Sequence, residues 1–389
     1  HSYYDGTVVR SGATLEMAVG GVNNNPLDIR EWLMLEQGAT LKIVETNSGY
    51  IGWKWNAPVD VQGDATIDVN ADEFILQPDG AGYLTGVGSL TKIGNGLLMV
   101  AGHSPEFTGG LAVHDGRLQL HCYGNNPVEN AAGITIGLND TTDRGEVAFQ
   151  VRTERGDVSD VINVPQSITV QGNSSGTRLG IFRPDHNDVV NFTGPIDLTN
   201  FDTSTNLREL QLWTQEDARS YRKAVGADEW REEYYVNYLG DISGGNKRLR
   251  TVIQQDGSPN RQDDGAQLTN EVDLITYYRL GGTNTGWTGS LEVGNRTGTS
   301  TATGGPDFDK QHYMRLGNHD GAATLAISSN NVVVLRNNAH LQAFGSQVTI
   351  GTLMSDGKAD NSTSDYYGND PVADVWLENG GLLPGSFRI

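Results

Sequence analysis

The feature that most constrains this chain is a regular spacing of glycine-led strand phrases in its first quarter. Gly12, Gly38, Gly63 and Gly88 each precede a short side chain and then an alternation of apolar and polar residues. Successive glycines are 26, 25 and 25 residues apart. A fixed period in the twenties is typical of solenoids, in which one coil cannot bury its apolar face without neighbouring coils. The spacing therefore predicts a stack of coils, each with three short strands.

Strand signals of the same kind recur along the rest of the chain. Residues 65–69, 117–120, 290–293 and 347–350 alternate apolar and polar side chains between turn residues. The Asp-Gly pairs do not lie between strands of matched length, so an antiparallel sandwich is the weaker alternative. We therefore expect an all-β chain that forms a right-handed parallel β-helix (β-solenoid), as a single domain over residues 1–389.

Four stretches interrupt this pattern. Residues 215–235 read QEDARSYRKAVGADEWREEYY, which is dense in charge and in helix formers. We predict a charged insertion with one or two short helices there. Residues 256–267, 297–305 and 356–370 are polar and are predicted to be long loops. Long loops on a solenoid usually lie on one side, where binding takes place.

Charge and composition exclude several classes of partner. The 389 residues carry 48 acidic and 27 basic side chains, a formal net charge of −21. Such a chain repels nucleic acid and anionic membranes, so we expect neither as a partner. The apolar runs are short, as at 332–335, and membrane insertion by a helix needs about 20 apolar residues. Cys122 is the single cysteine, which excludes an intrachain disulfide and predicts a small buried side chain.

Acidic clusters at four places bear on metal binding. Residues 139–143, 185–188, 263–264 and 307–309 supply carboxylate and amide oxygens of the kind that Ca²⁺ prefers. None has the twelve-residue spacing of an EF-hand, and Asn and Asp are also the usual residues of turns. We interpret them as solvated turns. We predict no metal site and no cofactor, beyond loose binding of Ca²⁺.

Catalysis is the least supported class of function. A solenoid aligns residues of successive coils, so Asp185, Asp188, Glu209 and Glu216 are candidates for a polysaccharide lyase or hydrolase. No local motif supports them. The phrase at 317–320, Gly-Asn-His-Asp, is similar to one metal-binding phrase of calcineurin-like phosphatases, but the accompanying upstream motifs are missing. We therefore predict a protein that is not an enzyme.

One segment carries a family resemblance. Residues 83–120 read YLTGVGSLTKIGNGLLMVAGHSPEFTGGLAVHDGRLQL. The phrases at 89–92, 96–98, 107–110 and 116–118 resemble the autotransporter-associated β-strand repeat of bacterial passenger domains. The resemblance implies a parallel β-helix on a cell surface or outside the cell. The chain begins His-Ser-Tyr-Tyr without an initiator Met, which we interpret as a mature protein after removal of a signal peptide.

Function is predicted from the two ends and from the irregular middle. Neither end shows a capping helix, and open strand edges recruit further chains. We therefore expect a non-enzymatic extracellular structural protein that binds copies of itself head-to-tail in a fibre, sheath or matrix. The alternative is an adhesin that binds a host surface or a cell-surface glycan. The candidate contact residues are Tyr3, Tyr4, Trp213, Trp230, Tyr234, Tyr235, Trp287, Trp376, Phe387 and Ile389.

Overall fold

The backbone is all-β throughout the part of the chain that the structure describes. The computed structural model describes residues 6–19, 27–45, 52–76, 84–122, 124–140, 146–153, 161–172, 174, 176–182, 188–202, 208–217, 230–256, 272–294, 308–318, 322, 324–336, 339–355, 375–379 and 385–389. These segments contain strands, turns and bends and no helix. None of them contains a helix long and apolar enough to cross a membrane.

The chain divides into two compact units. Unit 1 comprises His1–Glu154, Val161–Gly180 and Thr193–Glu209, and unit 2 comprises Arg155–Asp160, Ile181–Phe192 and Leu210–Ile389. In each unit the strands form parallel sheets whose neighbours come from successive coils, so each unit is a parallel β-solenoid, as predicted. The single domain over residues 1–389 stays a prediction.

Unit 1 has three parallel sheets. The first sheet consists of β1 (Gly6–Val9), β4 (Trp32–Leu35), β7 (Val59–Val61) and β10 (Leu84–Gly86). The second consists of β2 (Thr14–Val19), β5 (Thr40–Glu45), β8 (Ala65–Asn70), β11 (Leu90–Ile93), β13 (Leu111–Val113), β15 (Ile134–Ile136), β18 (Ile168–Val170) and β21 (Ile196–Asp197). The third consists of β3 (Leu27–Ile29), β6 (Gly52–Trp55), β9 (Glu73–Leu76), β12 (Leu97–Ala101), β14 (Gly116–Cys122), β16 (Glu146–Thr153) and β19 (Gly176–Phe182). The remaining strand is β17 (Val161–Val164).

Unit 2 has two main sheets, which we call the front sheet and the back sheet. The front sheet consists of β20 (Val189–Phe192), β23 (Trp230–Tyr238), β26 (Val272–Leu280), β28 (Phe308–Leu316), β30 (Ala339–Gln342) and β33 (Val375–Glu378). The back sheet consists of β22 (Leu210–Asp217), β25 (Leu249–Asp256), β27 (Ser290–Val293), β29 (Val332–Leu335) and β32 (Thr352–Ser355). The short strands are β24 (Ile242–Ser243) and the pair β31 (Gln347–Thr349) and β34 (Ser386–Arg388).

The glycine period of the sequence is the coil period of unit 1. The amide of Gly12 donates to the carbonyl of Gln37 at 3.0 Å, one coil further along. Gly12 and Gly38 turn the corner with φ of 69° and 71°, a conformation that glycine adopts without strain. Gly88 is needed for space instead, because a Cβ there would lie 2.2 Å from the carbonyl oxygen of Gly63. The predicted coil is therefore confirmed in this part of the chain.

The core of unit 1 is a set of apolar columns, one residue per coil. Leu41, Ile67, Val113 and Ile136 are fully buried, and each faces its register partner in the neighbouring coil. Burial of one such side chain stabilises the fold by about 1.5–3 kcal/mol. Lys92 occupies this same column between Ile67 and Val113, although its side chain is also fully buried.

The Lys92 amine is satisfied by backbone carbonyls. Its Nζ donates to the carbonyl oxygens of Ile93 at 3.0 Å, of Gly94, and of Asp115 at 2.9 Å. Three acceptors match the three donors of an ammonium group. Burial lowers the pKa of this amine from 10.5 to about 7, against the opposing charges of Asp115 and Asp68. Lys92 therefore links two turns of unit 1 from inside the core.

The outer surface of the second sheet of unit 1 carries a column of threonines. Its members are Thr14, Thr40, Thr66, Thr91, Thr135 and Thr169, with Ala112 between the fourth and the fifth. From Thr40 onward these side chains are half-buried. Threonine suits such positions because β-branched side chains pack well on a pleated surface.

The first coils of unit 2 are longer than those of unit 1, whereas Val333 and Leu353 near its end lie only 20 residues apart. Leu249, Leu291 and Val333 are register partners in the back sheet, and residues 42 positions apart hydrogen bond between coils, as Ile242 does with Asn284. The extra length lies in the connections from the back sheet to the front sheet at 218–229, 257–271, 294–307 and 356–374. Each of the four is followed in sequence by a strand of the front sheet.

The predicted helical insertion at 215–235 is wrong where the structure describes it. Residues 215–217 complete strand β22, and residues 230–235 begin strand β23. Among the charges that suggested a helix, Glu216, Asp217, Arg231, Glu232 and Glu233 lie on paired strands, where the ladder of backbone hydrogen bonds overrides the local preference. Residues 218–229 lie outside the described residues. So do the predicted loops 297–305 and 356–370 and, apart from Asp256 at the end of β25, the loop 256–267.

Candidate functional site

The outer surface of the front sheet carries a column of aromatic side chains. Tyr235, Tyr277, Tyr313 and His340 are register partners on β23, β26, β28 and β30, and Trp376 on β33 continues the column in the backbone register. The three tyrosines are half-buried, and His340 is 7% exposed. We call Tyr235, Tyr277, Tyr313 and His340 the aromatic ladder. It arises because parallel in-register pairing repeats one position every coil.

The rings of the ladder stack on each other. The ring centroids of Tyr235 and Tyr277 are 4.8 Å apart with planes at 9°. Those of Tyr277 and Tyr313 are also 4.8 Å apart, at 36°, and those of Tyr313 and His340 are 3.9 Å apart, at 16°. Because the faces are turned toward neighbouring rings, the ladder presents ring edges and polar atoms outward. It is therefore a row of hydrogen-bonding groups rather than a platform for stacking.

A second, polar column runs beside the ladder two residues further along each strand. Its members in order are Asn191, Asn237, Arg279, Arg315, Gln342 and Glu378. Nδ2 of Asn237 donates to Oδ1 of Asn191 at 2.8 Å, and Nε of Arg315 donates to Oε1 of Gln342 at 2.9 Å. The front sheet thus carries two adjacent rows of side chains that can hydrogen bond.

Arg315 lies among the aromatic rings of this surface. Its guanidinium carbon lies 4.1 Å from the ring centroid of Tyr277, 5.7 Å from that of Tyr235 and 4.8 Å from that of Phe344. A guanidinium over aromatic rings is stabilised by the ring quadrupoles. Burial lowers the pKa of Arg315 from its usual value, while the nearby tyrosines and carboxylates raise it.

Phe344 is held in an unusual backbone conformation beside the arginines. It is the one residue other than glycine with a positive φ, 49°, among the described residues. Arg279 also lies over its ring, at 5.1 Å, so both arginines contact the same side chain. The amide of Gly345 donates to Oδ1 of Asn379 at 2.9 Å, which holds the turn. A bulky residue with positive φ is strained, and such strain is common at binding sites.

Two carboxylates border the ladder, and each hydrogen bonds to a ladder residue. The hydroxyl of Tyr235 donates to Oε2 of Glu233 at 3.1 Å. Burial and the charge of Glu233 raise the pKa of Tyr235 to about 12, so its phenol stays neutral. At the other end, Nδ1 of His340 lies 2.7 Å from Oε1 of Glu378. The acidic groups of this surface are therefore bound to the ladder itself.

Three of the predicted contact residues lie in the core of unit 2. Trp213 and Trp287 are fully buried, and Tyr234 is 1% exposed. Nε1 of Trp287 donates to the carbonyl of Lys247 at 2.8 Å, and the Trp213 ring stacks on Phe182 with centroids 6.4 Å apart. These side chains have no surface to offer, so a contact role for them is wrong. Large aromatic residues in a thin core fill its volume.

The other predicted contact residues have mixed positions. Tyr235 belongs to the aromatic ladder. Phe387 is half-buried in β34, and Ile389 is 67% exposed. Trp230 and Trp376 lie on β23 and β33, and their side chains are outside the described part of the structure, as are Tyr3 and Tyr4 altogether.

Two of the four candidate catalytic carboxylates belong to the described residues, and both are buried. Asp188 is fully buried in unit 2, and Glu209 is 3% exposed in unit 1. Asp185 and the side chain of Glu216 lie outside the described residues. Within the described segments, no three His, Cys, Asp or Glu side chains come together as metal ligands. Cys122 is buried, as predicted.

The sequence contains a repeated phrase that corresponds to the ladder. Residues 277–281 read Tyr-Tyr-Arg-Leu-Gly, and residues 313–317 read Tyr-Met-Arg-Leu-Gly. The shared phrase places a tyrosine and an arginine at equivalent outward positions of β26 and β28. Looser forms at 235–240 and 340–345 supply the other two rungs. A search for repeats longer than the 25-residue period would have found it.

Comparisons with known proteins add no family or neighbour to this description. No protein-family model, curated protein or solved structure matches the chain at a significant level. The resemblance of residues 83–120 to the autotransporter-associated repeat therefore stays a prediction.

Proposed function

We propose that this chain is a non-enzymatic extracellular protein, a β-solenoid that binds an extended glycan along the aromatic ladder, as an adhesin does. The observation that carries the proposal is the alignment of the ladder and the polar column on one surface of unit 2. Side chains that serve only to cover a sheet have no need of three stacked tyrosines beside two arginines. The sequence alone favoured assembly, and the ladder moves the preference to ligand binding.

The spacing of the ladder suits a long and regular ligand. Its tyrosine rings repeat every 4.8 Å along the coils, so a linear polymer lying along the ladder would meet the same groups at each step. Tyrosine side chains combine a rigid ring with a hydroxyl, and they are enriched at contact surfaces because they lose little entropy on binding. The proposed extracellular location rests on the resemblance of residues 83–120.

The four long connections also favour a ligand at this surface. Each of them leads in sequence from a strand of the back sheet to a strand of the front sheet. Long loops carried by a rigid scaffold commonly contribute to binding. The third prediction from sequence, a polysaccharide lyase or hydrolase, gains no support from the described residues.

Binding assays with matched variants test this proposal. The full chain would be titrated with a panel of unbranched neutral and acidic polysaccharides. Tyr277→Ala and Tyr313→Ala should each weaken binding about tenfold, since central aromatic contacts contribute most of the affinity. Thr66→Ala and Thr91→Ala, which change outward residues of unit 1, should leave binding unchanged. Absence of binding to every polymer would contradict the proposal.

A second candidate is the head-to-tail assembly with copies of itself. It is favoured by apolar exposure in the last described coil, where Leu377 is 48% exposed although its register partner Leu341 is fully buried. Ile389 is 67% exposed. Sedimentation and electron microscopy test this candidate. Filaments that disappear in Leu377→Asp, but persist in a matched Val87→Asp variant at another exposed residue, would support it, and a monomer at high concentration would contradict it.

A further inference from the structure

We infer that the ladder of unit 2 selects acidic glycans, with the guanidinium of Arg315 as the group that recognises a carboxylate of the polymer. This inference rests on the proposed function and adds the chemical class of the ligand. It depends on the geometry around Arg315, on the placement of a second arginine beside it, and on the way in which nearby carboxylates are already bound.

Arg315 is held ready for a planar anion. Three aromatic rings, those of Tyr277, Tyr235 and Phe344, lie within 5.7 Å of its guanidinium carbon, and Nε is fixed by Gln342. Its two terminal nitrogens make no hydrogen bond or ion pair with any described residue. The side chain is half-buried, so part of it stays accessible. A guanidinium fixed in this way loses little freedom when its fork binds both oxygens of a carboxylate.

Arg279 adds a second positive charge directly beside Arg315. The two are register partners on β26 and β28, and both lie over the Phe344 ring. Like charges at paired positions of neighbouring strands destabilise a sheet. Nε of Arg279 donates to the carbonyl of Gly317 at 2.8 Å, and its Nη2 donates to Oδ1 of Asn318 at 3.2 Å. An anion that lies against both arginines would relieve their repulsion.

The nearby carboxylates of Glu233 and Glu378 are bound to other groups. Glu233 accepts a hydrogen bond from Tyr235, and Glu378 lies against His340 at 2.7 Å. Neither forms an ion pair with Arg315 within the described structure. The formal charge of −21 opposes the approach of an acidic polymer, so recognition must come from local contacts rather than from long-range attraction.

The test compares one polymer in two chemical states. The full chain would be titrated calorimetrically with polygalacturonate and with the same polymer after reduction of its carboxyl groups. We expect the acidic form to bind at least about tenfold more tightly, and Arg315→Gln to remove that difference. Arg10→Gln, which removes the same charge from an exposed position of unit 1, should preserve it. Arg315→Lys keeps the charge but not the forked guanidinium, and it should bind the acidic polymer several-fold more weakly than the unchanged protein.

The outcomes separate this inference from the proposed function. Equal binding of both polymer forms, or an equal loss in Arg315→Gln and Arg10→Gln, overturns the inference and leaves the glycan-binding proposal in place. Absence of binding to either form and to the wider panel overturns both. Thermal unfolding of each variant shows that it is folded, and if Arg315→Gln fails to fold, Arg315→Lys decides the question.

Discussion

Units 1 and 2 build outward columns by the same rule and fill them with different chemistry. In unit 1 the column on the second sheet is threonine, from Thr14 to Thr169, and beside it Lys42 forms an ion pair with Glu16 at 2.9 Å. In unit 2 the corresponding feature is the aromatic ladder beside Arg279 and Arg315. Threonine and paired surface charges are what a solvated sheet needs for its own stability. A solvated sheet does not need stacked tyrosines beside arginines for its stability.

The difference shows how a solenoid can acquire a site. In-register coils copy any outward residue into a row, so one useful position becomes an extended surface after a few repeats. The first coils of unit 1 are 25 or 26 residues long and its later ones range from 21 to 34, while in unit 2 Leu249 and Leu291 lie 42 apart. The longest coils belong to unit 2, which carries the ladder. If the proposed function holds, unit 1 serves as scaffold and unit 2 carries the contact surface.

The largest expected effect concerns the cores, which should be equivalent if the units differ only in their outer surfaces. Phe149 in unit 1 and Trp287 in unit 2 are both fully buried. Phe149→Ala and Trp287→Ala should each lower the free energy of unfolding by about 3–5 kcal/mol, because each leaves a large cavity. Hydrogen exchange read by mass spectrometry would report the loss in each unit separately. A loss below about 1 kcal/mol in one unit would break the equivalence.

The next effect is a pH dependence confined to unit 1. The folded pKa of Lys92 is lowered to about 7, whereas the unfolded chain keeps a value near 10.5. Above pH 7 the unfolded state therefore binds more protons, and stability rises with pH until about 10.5. We expect a gain of about 2 kcal/mol for unit 1 between pH 7 and pH 9. Lys92→Met should remove this gain, and a gain that persists in the variant would contradict the assignment.

A smaller effect is expected within the ladder. Stacked aromatic pairs contribute about 0.5–1.5 kcal/mol beyond their buried area. A double-mutant cycle of Tyr235→Ala and Tyr277→Ala, followed by chemical denaturation, should give a coupling in that range. Because the rings are half-buried, the single variants should remain folded and usable in binding assays. A coupling near zero would mean that the rings do not stack in solution.

The smallest effect belongs to the threonine column. Thr66→Ala removes one outward side chain of unit 1 that pairs with Thr40 and Thr91 in the register. Cross-strand pairs of this kind contribute about 0.2–1 kcal/mol, so the free energy of unfolding should fall by no more than that. A larger loss would give the column a structural importance comparable to the ladder and weaken the contrast between the units.

Parts of this account were predictable from sequence, and the reasons for the rest are physical. The spacing of Gly12, Gly38, Gly63 and Gly88 predicted the coils of unit 1, because corners need glycine for conformation or for space. The strands at 215–217 and 230–235 were missed because local helix preference yields to pairing between coils.

The site was predicted less well than the fold. Of the predicted contact residues, Tyr235 lies in the ladder, whereas Trp213, Tyr234 and Trp287 fill the core. Composition does not tell an inward aromatic residue from an outward one; that requires the register, since neighbours along a strand alternate faces. The phrase shared by 277–281 and 313–317 contains that register, and it is the clearest signal of the ladder in the sequence.

The central claim is that the ladder of unit 2, and not the regular surface of unit 1, is the contact surface of the protein. Radical footprinting read by mass spectrometry, with and without a bound acidic polysaccharide, tests it most directly. The account predicts that Tyr235, Tyr277 and Tyr313 lose reactivity when the polymer is added, while Met34 on the half-buried outer surface of unit 1 does not change. Unchanged tyrosines, or protection of Met34 instead, would contradict it.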